Sequence, residues 1–166
     1  VYETPPAVGP LPDVIVDLAA QTATPLARWV QDSDLVPLMA SMGVSVNFWH
    51  VADAGKDSVD LLDRLVATYG AGPNYIVVKN KGRGSDFSQL EASGALKKAQ
   101  ALGGHVIGLA QLHEASMRKI DRQNASFWAA ANATTGADAL GMLERQRVKT
   151  WLKNAYADLD TLPLGA

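Results

Sequence analysis

The sequence predicts an α/β fold: a mostly parallel sheet of about four strands, helices on both faces, and helices at the C-terminal end. Three observations predict it. Short runs rich in β-branched and aromatic residues (13–18, 44–51, 74–78 and 105–109) alternate with longer amphipathic stretches. In the first of them, Val14-Ile15-Val16 is apolar throughout, as strands buried on both faces of a parallel sheet are. Glycines punctuate the alternation at Gly43, Gly70 and Gly103-Gly104. With 166 residues the chain is read as one domain, 1–166, large enough for a single sizeable core.

Each element has its own local reason. Residues 1–12 hold four of the eight prolines and read as an irregular arm. Val14-Ile15-Val16 is the first strand, ending in Asp17. Thr24 as N-cap and Pro25 at the first helical position open a helix. A second short helix runs from Leu35 to Met42 and stops at Gly43. Val44 to Val51 is the second strand. Asp57 to Tyr69 is an amphipathic helix with Val59, Leu61, Leu62, Leu65 and Val66 on its stripe, and Gly70 closes it. Asn74 to Val78 is the third strand. Ser88 and Glu91 form a capping-box pattern for a helix through Leu102, with Gly94 inside it. His105 to Leu109 is the fourth strand. Helices follow over 111–120 and 126–132, and Thr135 caps the longest one, 136–159. Trp29, Trp49, Trp128 and Trp151 read as core anchors.

Composition narrows the function. The chain is 48% hydrophobic and 19% charged, below the average near ~25%, which suits a well-buried body. A net charge of −2 lacks the basic surface of a nucleic-acid binder, so no direct nucleic-acid contact is expected. The absence of cysteine removes thiol catalysis and thiolate metal sites, and fits a cytoplasmic protein. No run approaches the ~18 apolar residues of a membrane span, and the first residues do not read as a signal peptide.

Chemistry-bearing residues gather where strands end, the place where α/β sheets bind ligands. Asp17 is a metal or water-positioning candidate there, set against a plain loop or capping acid. His50 and Asp53 stand together at the C-terminal end of the second strand and could act as an acid–base pair, against a structural, hydrogen-bonded histidine. Asn80-Lys81-Gly82-Arg83 places two cations beside a glycine, suited to an anion, against a solvated loop. The three histidines have no metal-ligand spacing, and no serine sits in a G-x-S-x-G elbow. No catalytic residue is assigned.

Three stretches carry a family resemblance: Asp17-Leu18-Ala19-Ala20-Gln21, Val77-Val78-Lys79-Asn80-Lys81, and Met117-Arg118-Lys119-Ile120-Asp121 with Ser126-Phe127-Trp128-Ala129-Ala130 beyond it. From about Asp13 to Asn132 the chain resembles the ParA/MinD/CobQ-type P-loop ATPases, most closely the plasmid mobilisation and conjugal-transfer branch of TraL- or MobD-like proteins. The resemblance implies a three-layer P-loop-NTPase-like fold. It implies that Asp17 assists a Mg²⁺ site, that Ala19 to Gln21 resembles the switch sensing the γ-phosphate, and that Asn80 reads the purine edge. Asp17, Gln21, Asn80, Lys81 and Arg83 are therefore the candidate nucleotide-binding set, with ATP and Mg²⁺ as the implied ligands.

One departure is decisive. No stretch reads G-x-x-x-x-G-K-[ST]; Gly82-Arg83-Gly84-Ser85 lacks the lysine and the spacing. In the family, the phosphate-loop strand lies between the strands matching 13–18 and 44–51, so its absence leaves two options: the two strands close up and pair directly, or the edges stay open and another chain fills them. The expectation is a non-catalytic binding or assembly protein of mobile DNA, self-associating as a homodimer or held by a partner protein. Two alternatives stand beside it: the C-terminal piece of a Mg²⁺-dependent ATPase, and a small-anion-binding α/β protein using the strand-end cleft.

Overall fold

The computed structural model describes residues 13–19, 21–135 and 139–164. Three strands, β1 (Asn47–Ala52), β2 (Asn74–Asn80) and β3 (His105–Leu109), form a parallel sheet in the order β1-β2-β3. The register pairs His50 with Val77 and Val77 with Val106. Eight α-helices accompany the sheet among the described residues: α1 (Ala23–Asp32), α2 (Leu35–Ser41), α3 (Lys56–Tyr69), α4 (Ser88–Ala92), α5 (Gly94–Ala101), α6 (Glu114–Gln123), α7 (Phe127–Asn132) and α8 (Met142–Leu159). A 3₁₀ turn, Lys81–Arg83, follows β2.

Side-chain alternation along the strands divides the sheet into two faces. On one, Tyr75 and Val77 pack with Leu62 and Val66 of α3, Leu90 of α4, and Leu96 and Ala99 of α5. Tyr75 is fully buried, and its hydroxyl donates to the Gly70 carbonyl at 2.6 Å, so the buried polar atom is satisfied. On the other face, Ile76 and Val78 meet Leu159 of α8 and Leu162 just beyond it. A third cluster joins α6, α7 and α8 through Ile120, Ala131 and Val148.

Three strands form where four are expected. Residues 13–19 join no strand, and Ile15 is 96% exposed. Strand propensity expresses packing against neighbours, and a β-branched run without a paired neighbour has nothing to bury against. The arm at 1–12 lies outside the described residues. The second expected strand starts later than predicted, at Asn47, and the first helix starts earlier, after Thr22, whose hydroxyl donates to the Ala19 carbonyl at 2.7 Å. Pro25 then sits in the first helical turn, where a missing N–H costs nothing.

The helix expected over 88–102 is two helices. Ser93 takes an extended conformation, and its Oγ accepts from the Leu96 N–H at 3.1 Å, capping α5. Gly94 thus occupies the first helical position and not an interior one. Glu91 is turned away from the predicted capping box and pairs with Lys79 at 2.9 Å. The C-terminal helix begins at Met142 and not at 136, and residues 136–138 lie outside the described residues. Glu144 Oε2 accepts from the Gly141 N–H at 2.8 Å and holds that start.

The tryptophans do not anchor the core as predicted. Trp29, Trp49 and Trp128 are exposed, Trp128 by 68%. Trp151 is half-buried against Phe127 at a ring separation of 4.7 Å, and its indole N–H donates to the Ala110 carbonyl at 2.6 Å. Trp49 is left open because the cover supplied by Leu159 and Leu162 reaches β2 and β3 but not β1.

Candidate functional site

The site is built at the carboxyl ends of β1 and β2. β1 runs into Asp53-Ala54-Gly55, and β2 runs into the turn Lys81–Arg83. Gly84 brings the two connections together. A Cβ at Gly84 would lie 2.6 Å from Ala54 Cβ, and its φ of +122° is one that glycine adopts freely. The His50–Asp53 and Asn80–Arg83 groups are therefore neighbours across one backbone contact.

Within the first group, His50 Nε2 lies 2.9 Å from the Ser58 carbonyl. A carbonyl only accepts, so Nε2 carries the proton and donates. Burial pushes the His50 pKa down, opposed by the Ser58 carbonyl and by the nearby Asp53 charge. Asp53 does not hydrogen-bond His50. Its Oδ1 accepts from the Gly55 N–H at 2.8 Å, and its own N–H donates to Ser58 Oγ at 3.2 Å. His50 and Asp53 are thus both tied to the start of α3, Ser58 being their common partner. Sequence reasoning missed Ser58; its position in the first turn after a strand-end acid was the available signal.

In the second group, Asn80 Oδ1 accepts from the Gly82 N–H at 3.1 Å and shapes the turn. Lys81 and Arg83 are exposed and form no ion pair among the described residues. Lys81 reaches across Gly108 of β3: a Cβ there would sit 3.8 Å from Nζ. The side chain borders a groove of about 610 Å³, lined also by Lys79, Glu91, Gln100, Gly108 and Asp158. Lys79 is held by Glu91, which leaves Lys81 as the unpaired cation of this groove.

Asp17 and Gln21 stand apart. Both are exposed and make no side-chain hydrogen bond or ion pair among the described residues. Gln21 holds a left-handed backbone, φ +69°, at the turn into α1. Ala20, between them, lies outside the described residues. A lone exposed carboxylate supplies one of about six oxygen ligands that Mg²⁺ requires, and the described residues bring together no group of three or more His, Asp or Glu that could hold a metal. Among the described residues, those around Asp17 do not supply the ligand set of a Mg²⁺ centre.

No described helix is long and apolar enough to cross a membrane. Comparisons with protein-family models, with curated proteins and with solved structures find no match to this chain.

Proposed function

We propose that this chain is a ParA/MinD-like module of mobile DNA that works as a non-catalytic binding and assembly protein. The family's three-layer arrangement, a cytoplasmic setting and a homodimeric state belong to the proposal. One observation carries it: among the described residues β1 is paired only with β2, and no described strand lies along its outward edge, with Trp49 and Val51 exposed beside it. Open strand edges with apolar side chains are surfaces that proteins cover with another element. The parallel strand–helix alternation is compatible with the resemblance, and the missing phosphate loop argues against hydrolysis by these residues.

Light scattering at tens of micromolar tests the reading; a dimer is expected, and a monomer throughout would overturn it. Thermal melts with millimolar ATP, ADP and GTP, with and without Mg²⁺, test the alternative. Ligand at ~100 times its dissociation constant stabilises by about 2.7 kcal/mol, a shift of several degrees. No shift is expected. A Mg²⁺-dependent rise with ATP would favour the piece-of-an-ATPase reading.

The Lys81 groove favours a second reading, a small-anion site. Inorganic phosphate would then raise the melting temperature of the parent chain but not of Lys81→Ala.

A further inference from the structure

We propose that two copies of this chain exchange their N-terminal runs, Val14-Ile15-Val16 of each adding a strand to the open β1 edge of the other. This rests on the assembly reading above and names what fills the edge.

Both halves of a strand pairing are present, and among the described residues both are unfilled. Residues 13–18 form no helix or strand and no hydrogen bond among the described residues, and their side chains are exposed. Three consecutive β-branched residues are stiff at χ1 and suited to a pleated surface. The β1 edge offers that surface. Trp49 and Val51 share the sheet face of Ile76 and Val78 by register, yet remain 43% and 59% exposed. A strand laid along β1 would satisfy its outward backbone groups and extend the apolar face beside Trp49 and Val51.

The joint behind the run favours a second copy over the same chain. Ala19 accepts two bonds from Thr22, from its N–H and its hydroxyl, and Gln21 sits at φ +69°. This short connection, with a positive φ at a non-glycine residue, leads from a run that joins no described strand of its own sheet, and short strained hinges promote exchange between copies. Reciprocal exchange also closes: each edge is filled once, and growth stops at two.

The absence of cysteine permits a direct test. Chains carrying Ile15→Cys alone and Val51→Cys alone are mixed and treated with a short bismaleimide, and light scattering follows Ile15→Asp. The expected result is a mixed covalent pair, identified by mass, and a dimer dissociation constant raised at least about tenfold by Ile15→Asp. Ile15 is exposed in the single chain, so its folding is not at stake. Met142→Lys, at the exposed start of α8, is the control and leaves dimerisation unchanged. A dimer that ignores Ile15→Asp and gives no mixed pair overturns the exchange but leaves the assembly reading standing. Cross-linking within one chain of the double-cysteine variant, in a monomer, overturns both.

Discussion

His50 Nε2 donates to the Ser58 carbonyl across 2.9 Å, joining the end of β1 to the first turn of α3. Burial holds the pKa of this histidine below the ordinary value of 6.5, against the opposing Ser58 carbonyl and Asp53 charge. In the unfolded chain it protonates at that ordinary value. The unfolded state therefore binds the proton first as pH falls, and stability drops from about pH 6.5 downward until the folded pKa is passed. Melting temperatures of the parent chain and His50→Gln between pH 8 and 5 check this. The part of the acid-side loss due to His50 should vanish in the variant, and identical profiles would refute it.

Gly84 should not tolerate a side chain. Gly84→Ala combines the φ of +122° with a 2.6 Å approach to Ala54 Cβ. A cost of about 1–3 kcal/mol is expected, read as a lower melting temperature. Faster amide exchange should accompany it at Gly55 and Gly82, whose N–H groups bond Asp53 and Asn80.

Ser116 is fully buried on α6, and its hydroxyl has no hydrogen-bond partner among the described residues. An unmade buried bond costs about 1–3 kcal/mol. Ser116→Ala should therefore stabilise the protein, by at least about 2 °C in a melt. A lower melting temperature would show that the hydroxyl contributes to stability.

Leu62 and Trp128 make a matched contrast. Leu62 is fully buried between α3 and the sheet, so Leu62→Ala should cost about 2–5 kcal/mol. Trp128 is larger but exposed, and Trp128→Ala should stay within about 0.5 kcal/mol. Denaturant midpoints of the two variants decide it; equal losses would contradict the burial pattern.

The sequence by itself determined the α/β class, parallel strands at three of the four expected places, the α3 helix with Leu62 and Val66 buried and Gly70 at its end, though Leu61 of the predicted stripe is exposed, and a short helix over 126–132. These are local or periodic signals: a glycine that ends a helix, apolar residues at helical spacing, a β-branched or aromatic run between turns. Only the tertiary structure decided whether Val14-Ile15-Val16 pairs, which tryptophans are covered, and that Ser58 links His50 to Asp53. The physical reason is the same in each case. A strand is defined by its neighbour, a buried ring by the layer laid over it, and a histidine by the partner folding brings to it. Val14 and Val77 are the same residue type in similar runs. Val77 lies between two strands under α3 and is buried, while Val14 meets no strand and is exposed.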